Sequence, residues 1–372
     1  MINTPPPHQL TDDQLSIVLQ GPCQFGKKDE AVTTRAIASI RQYFPKAELI
    51  LSTWKNSTLP KGLDVDIVVF NKDPGGQRLS LALQPKSGKP FMNNVNRQLV
   101  SSLGGTQAAS RTHVLKARTD MVFYNNSCLN WWDLAPHRNP AHSAFKQRVL
   151  GYAFGSRKAR NPSGVLNLQY HPGDWFYLGL KEDLIDFFDI PLCPDSCVNY
   201  LLTERIIPPA WQAWVTHQWF PEMYLWVTYL KKKGIPVTIA HSFDNRPSND
   251  LPSIQSLVNN FILLDAEQLG FVNDKYRRGI MEGHEVGLAS MMCYQDWLEH
   301  YLSLCVPPAE LTHPSVKRLI ARSLPQQQWQ PIAFNNPNTA TGPALNNNQD
   351  ASITLQGVVA PSGTRVAFSS IK

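Results

Sequence analysis

The chain has 372 residues, 42% of them apolar and 10% aromatic, enough to bury a large core in one large or two medium domains and too much for global disorder. Lys and Arg number 35 against 29 Asp and Glu, a net charge of +6. The excess is spread thinly, with local maxima at Arg157 to Arg160 and Lys231 to Lys233. Neither maximum carries the aromatic and Gly pattern of an RNA-binding sheet, and no zinc-finger or basic-zipper spacing occurs, so nucleic acid is not an expected partner. A mildly basic surface suits phosphate-bearing small substrates or an anionic membrane leaflet.

The longest apolar runs, such as Ile67 to Phe70 and Phe261 to Leu264, fall far short of the roughly 18 to 20 residues that span a bilayer. The first residues lack the basic cluster, apolar stretch and cleavage site of a signal peptide. A cytoplasmic protein is expected, with peripheral contact at the inner membrane through its basic patches. Of the six cysteines only Cys193 and Cys197 are close in sequence. That usage predicts free thiols, with neither a disulfide scaffold nor a structural zinc site. The ten histidines follow no metal-ligand spacing and read as surface or hydrogen-bonding residues.

In chain order, Leu15 to Gln20 reads as a buried strand ended by Gly21-Pro22. Thr33 to Phe44 sets Ala36, Ile37, Ile40 and Phe44 at helical spacing, with Pro45 as stop. Strands follow at Glu48 to Thr53 and Val65 to Phe70, then a helix from Asn93 to Ala109 interrupted by Gly104-Gly105, then a strand from His113 to Lys116. This order opens an α/β sheet with right-handed crossovers, in which ligands bind beyond the carboxyl ends of the strands. From about 125 to 161 the periodicity is weak and a loop-rich insertion is expected. A strand from Gly173 to Leu180, helices at Lys181 to Phe188 and Pro221 to Lys233, a short strand from Ile235 to Ala240, the run Phe261 to Leu264 and helical stretches from Met281 to Leu304 complete the globular part. The charge-poor end alternates at Ile353, Leu355, Val366 and Phe368 around Pro361-Ser362-Gly363, the pattern of a hairpin in an otherwise polar tail.

Three places carry candidate chemistry. Lys116-Ala117-Arg118-Thr119-Asp120 sets two cations, a hydroxyl and a carboxylate at a strand end. The carboxylate can hold a divalent metal against a diphosphate, a neighbouring cation can meet phosphate directly, and a plain strand-end ion pair explains the same residues. Pro221-Glu222 opens an amphipathic helix, where an acid suits the helix dipole and can also serve as general base. Asp174 stands beside Trp175 and Phe176, rings that either stack on a sugar or belong to the core. Phosphate-loop, nucleophile-elbow, zinc-protease and dinucleotide motifs are all missing.

Beyond spacing, Ser16 to Pro22 and Ser39 to Trp54 resemble the WavE family of lipopolysaccharide-synthesis proteins. Asn93 to Gln98, Leu115 to Asp120, Asp174 to Phe176 and Pro221 to Trp226 resemble its later blocks in the same order, so that the likeness covers roughly residues 15 to 275. The resemblance implies an α/β glycosyltransferase of type A fold: an open mixed sheet with helices on both faces and a loop-rich insertion. It would use a nucleotide-sugar donor to extend a glycan or glycolipid acceptor such as lipopolysaccharide core or capsule. The likeness does not cover the tail; with the composition read above, the chain is expected to divide into a polar leader (1–14), a glycosyltransferase-like domain (15–330, with a nucleotide-binding half at 15–124 and an acceptor half at 125–330) and a polar tail or hairpin (331–372).

By the same resemblance Glu222 and Asp174 are catalytic, Gln20, Gly21, Ser52 and Thr53 line the nucleotide pocket, and Arg97, Lys116 and Arg118 meet diphosphate or sugar. The metal motif of type A enzymes, Asp-x-Asp, is here Arg118-Thr119-Asp120. Either Asp120 alone holds a divalent cation (Mn or Mg), or Arg118 or Lys116 replaces part of its charge. Three rival readings remain: a sugar nucleotidyltransferase, for which Gly21 to Lys28 is a faint phosphate loop; a non-catalytic glycan-binding protein, in which Asp120 and Glu222 would not converge; and a polyanion binder.

Overall fold

A computed structural model describes residues 10–25, 31–79, 92–160, 167–208, 215–273 and 290–322, and strand backbone at 332–333, 352–360 and 363–369. The loop at Gly26-Lys27-Lys28, the helical expectation from Met281 to Ala289, and the hairpin tip at Pro361-Ser362 lie outside the described residues.

The chain begins with β1 (Leu15–Gln20), α1 (Val32–Tyr43), β2 (Glu48–Trp54) and β3 (Ile67–Asn71). A short ribbon of β4 (Gln77–Arg78) and β5 (Met92–Asn93) leads into α2 (Val95–Ala108), β6 (His113–Arg118) and β7 (Met121–Phe123). Then come β8 (Val149–Tyr152), β9 (Tyr177–Leu180), α3 (Lys181–Phe188), the single turn α4 (Tyr200–Thr203) and α5 (Pro221–Lys232). The globular part closes with α6 (Asp250–Asn260), β10 (Phe261–Leu264), α7 (Ala266–Leu269), β11 (Phe271–Asn273), α8 (Tyr294–Leu304) and α9 (Pro314–Ala321).

Seven strands form the main sheet in the order β10-β8-β9-β6-β1-β2-β3. Counting only these strands along the chain, the order from the far edge is 3-2-1-4-6-5-7. All run parallel except β9, which is antiparallel to both its neighbours. This is the expected open mixed α/β sheet. β1 lies mid-sheet with every residue buried, and its unbroken apolar run reflects burial on both faces. A second, two-stranded sheet pairs β7 with β11.

α2 crosses the β1-β2-β3 face at unusually short range. A Cβ on Gly105 would stand 2.3 Å from Val18 Cγ1 and 2.9 Å from Ser52 Cβ. The Gly104-Gly105 interruption is therefore a packing requirement, and it brings the N-terminal turn of α2 over the ends of β1 and β2. On the other half of the sheet, α5 packs through aromatic rings. Trp226 meets Phe261 edge-on at 4.8 Å and donates its indole N–H to Ser256, and Tyr229 stacks on Phe145 at 5.2 Å. These contacts fix the helix whose first turn carries Glu222.

Three expectations need correction. The insertion expected as loop contains β8, an interior strand of the main sheet; its four residues are too few to show a period. The strand expected over Gly173 to Leu180 begins only at Tyr177, because Gly173 donates its N–H to Ser156 Oγ instead of to a ladder. Ile235 to Ala240 forms no strand. Ile235 N–H closes the end of α5 on Leu230, and Ala240 N–H goes to the Asp244 carboxylate.

In the tail, β12 (Ile332–Ala333), β13 (Ser352–Ala360) and β14 (Gly363–Ser369) pair antiparallel. Leu355 stands opposite Phe368 and Ala360 opposite Gly363, the hairpin expected from the alternation.

Candidate active site

A cleft of about 580 Å³ opens along the carboxyl edge of the parallel strands. β1 delivers Gln20 and the turn Gly21-Pro22, β2 ends in Trp54, and the loop after β3 supplies Asp73. The first turns of α2 contribute Asn94, Arg97, Gln98 and Ser101, β6 ends in Arg118-Thr119-Asp120, and the segment before β9 adds Asp174 and Trp175. Because β9 runs backward, its start lies at the same edge as the other strands' ends. Pro221 and Glu222 of α5 close the cleft.

Seven of the ten site residues expected from sequence line this one cleft: Gln20, Gly21, Arg97, Arg118, Asp120, Asp174 and Glu222. Ser52, Thr53 and Lys116, expected to contact donor, stand behind its wall. Ser52 Oγ is fully buried, donating to the Ser101 carbonyl and accepting from Asn71. Thr53 Oγ1 lies 3.0 Å from Ser57 Oγ. Lys116 is fully buried, with its Nζ donating to the Asp174 carbonyl. These three brace the site from beneath.

Asp174 is held by its backbone. Its carbonyl accepts from both Lys116 and Gln98. The preceding Gly173 lies so close to Tyr152 O, 2.8 Å from where a Cβ would sit, that only glycine fits. Of the two rings that follow, Phe176 is core, stacked on Phe271 at 5.7 Å. Trp175 lines the cleft between Tyr152 and the Arg118 guanidinium.

Glu222 occupies the second position of α5, after Pro221, which suits the first turn because its missing N–H is not needed there. Burial, and then the negative charge of Asp174, push its carboxyl well above the usual carboxylate range, while Arg157 and Arg118 pull the other way. His171 Nε2 stands 3.6 Å from Glu222 Oε2. Burial, reinforced by Arg157, drives this imidazole down to about 3, so His171 is neutral beside Glu222. Burial lowers Lys116 to about 8, against the attraction of Asp174.

Two arginine–carboxylate forks line the cleft. Arg118 Nε and Nη2 donate to the two oxygens of Asp120 at 2.8 and 2.7 Å. Arg97 Nε and Nη2 donate to the two oxygens of Asp73 at 2.8 Å each. A divalent cation would need several hard oxygen donors. Both Asp120 oxygens are taken by Arg118, and among the described residues no three His, Cys, Asp or Glu side chains gather as a metal-binding group. This donor set does not fit a protein-held divalent cation.

Sequence reasoning missed Asp73, His171 and Arg157. Asp73 had a signal, since it stands just past the third strand in a Pro-Gly-Gly turn, at the edge where ligands bind. His171 and Arg157 sit in irregular segments with no spacing to mark them. His171 and His217, expected as surface or hydrogen-bonding residues, are in fact 4% exposed, and neither nitrogen of His217 finds a hydrogen-bond partner among the described residues.

An open mixed sheet in this order, with a polar cleft along the carboxyl edge and a half-buried acid at a helix start on its rim, has the architecture of a glycosyltransferase-like α/β protein. The WavE lipopolysaccharide synthesis family matches residues 15–328, and the chain belongs to that family. The match extends past the residue 275 limit of the recognised blocks to take in α8 and α9. No curated protein matches the chain. Its role lies in lipopolysaccharide synthesis.

Proposed function

We propose that the chain is a glycosyltransferase that moves a sugar from a nucleotide-sugar donor to a lipopolysaccharide-type glycan or glycolipid. The observation that carries this reading is the meeting of a half-buried carboxyl, Glu222, with the Arg118-Asp120 strand end and the β1 turn in one cleft. The donor nucleotide would lie against Gln20, Gly21 and Trp54, and the acceptor hydroxyl between Asp174 and Glu222.

In this reading Glu222 takes the proton of the acceptor hydroxyl as its oxygen bonds to the sugar carbon. The bond from that carbon to the diphosphate breaks, and the nucleoside diphosphate leaves with the electron pair. Raising the pKa of Glu222 strengthens it as a base in its ionised form. Asp174 and the Trp175 face orient the sugar. The site of action would be the cytoplasmic face of a membrane that anchors a glycolipid acceptor. No helix among the described residues is long and apolar enough to cross a membrane.

A thermal-shift panel of UDP, GDP, CMP, ADP and their sugars tests the donor class, since a ligand that binds only the folded state raises its melting temperature. Selective stabilisation by one nucleotide and its sugars is expected, with Glu222→Gln retaining it. No shift with any of them would remove the transferase reading.

A further inference from the structure

The cleft carries two guanidinium groups presented in the same way. In each, Nε and Nη2 are tied to both oxygens of one carboxylate, Asp73 for Arg97 and Asp120 for Arg118. A guanidinium has five N–H donors in a rigid plane, so a carboxylate held on its Nε–Nη2 edge fixes the direction of every other N–H of the group. Arg97 Nη1 is further fixed by Asn94 Oδ1 at 3.1 Å. The Arg118 plane is set against the Trp175 ring, 5.8 Å from its centroid.

In the first pair the exposures decide which partner meets a ligand. The Arg118 side chain is 24% exposed and that of Asp120 only 9%. The cation is presented and the carboxylate stands behind it, the reverse of a site in which the carboxylate reaches out for metal. In the second pair Arg97 is 36% and Asp73 38% exposed, so both partners reach the cleft, and Arg97 belongs to the first turn of the 14-residue α2, whose dipole favours an anion.

We propose that Arg97 and Arg118 form a diphosphate clamp that takes the place of a divalent cation. The ligand is a nucleoside diphosphate, free or as the leaving half of a sugar donor, so the inference rests on the nucleotide-sugar reading above. Asp73 and Asp120 are positioning residues that hold the two guanidinium planes before the ligand arrives, which reduces the entropy lost on binding. Charge on the departing diphosphate is met by fixed hydrogen-bond donors, and donor turnover needs no added metal.

The test is equilibrium binding of UDP, GDP, CDP and ADP, each measured in EDTA and in saturating Mn²⁺ or Mg²⁺. The clamp requires that the best-bound diphosphate keep its affinity in EDTA. Arg118→Gln and Arg97→Gln should each weaken it by about 10- to 100-fold, the worth of a charge-assisted phosphate contact. The lysine variants should recover only part of that loss, because a point charge lacks the fork.

Asp120→Asn should weaken binding equally with and without metal, and melting temperatures of all variants identify any that fail to fold. Binding that appears only with Mn²⁺ or Mg²⁺, and that Asp120→Asn abolishes, would overturn the clamp and leave the transferase standing. A failure of every diphosphate to bind under either condition would instead overturn the nucleotide-sugar reading, and the clamp with it.

Discussion

Asp174 shares a cleft with Glu222, and its negative charge opposes the ionisation of Glu222. With Glu222 as base, the rate of transfer rises as pH climbs through its raised pKa, above the usual carboxylate range. Removing the Asp174 charge lowers that pKa, so Asp174→Asn should move the rising limb to lower pH. A pH–rate profile of both proteins with the same donor checks this; an unmoved limb would show that Asp174 is not the neighbour that matters.

Lys116 shows the cost of building the site. Burial brings its amine down from 10.5 to about 8, a penalty of about 3 kcal/mol while it is charged. The folded pKa is the lower one. The penalty is therefore present in full below pH 8 and disappears as pH rises toward the unfolded value. Lys116→Met should remove this pH dependence, so its denaturation midpoint relative to the parent protein should be highest near neutral pH and fall toward pH 10. A constant difference across that range would contradict the assignment.

At the level of elements, the fixed point is the seat of α2 on the sheet. Gly105→Ala would add a methyl group 2.3 Å from Val18 Cγ1, and overpacking of that kind costs about 1–3 kcal/mol. This exceeds the roughly 1 kcal/mol that alanine gains over glycine in a helix. The variant should melt several degrees lower and bind nucleotide more weakly, because Arg97 and Gln98 move with the helix. Unchanged melting and binding would mean that α2 tolerates being lifted.

The elements legible in the sequence were those with a long apolar run or a full helical period: β1, β2, α1, α3 and α5. β8 was not legible, since four residues inside a stretch of Trp, His, Pro and Arg carry no period. The strand expected at Ile235 to Ala240 failed for the opposite reason. Its residues have β propensity, but Ile235 N–H is spent on capping α5 and Ala240 N–H on the Asp244 carboxylate. Cleft-lining residues were legible where they sat at a strand end or a helix start, as with Arg118, Asp120 and Glu222. It was hidden where a loop folds a buried group against the site, as with His171.

Across the whole molecule, the mixed sheet explains why residues so far apart in sequence meet. The reversed β9 brings Asp174 to the edge where β1, β2, β3 and β6 end, and α5 returns Glu222 to it. The two basic maxima of the sequence are largely taken up inside this architecture. Lys158 pairs with Asp296, Arg160 with Asp250, and Lys232 and Lys233 with Asp186. Arg157 is turned inward toward Glu222. In the cleft Arg97 and Arg118 are set among Asp73, Asp120, Asp174 and Glu222, an arrangement that suits a small ligand held by fixed donors better than a long polyanion.

The central claim is a sugar transfer that depends on Glu222, and it is tested by incubating the protein with a panel of nucleotide sugars and a bacterial glycolipid extract. Mass spectrometry then follows both the released nucleoside diphosphate and the mass gained by the glycolipid. The account predicts that one donor is consumed with a matching gain of one sugar on the glycolipid, and that Glu222→Gln slows this by about 10²- to 10⁴-fold, the usual contribution of a general base. Transfer at an undiminished rate by Glu222→Gln, or no donor consumed by the native chain, would contradict it.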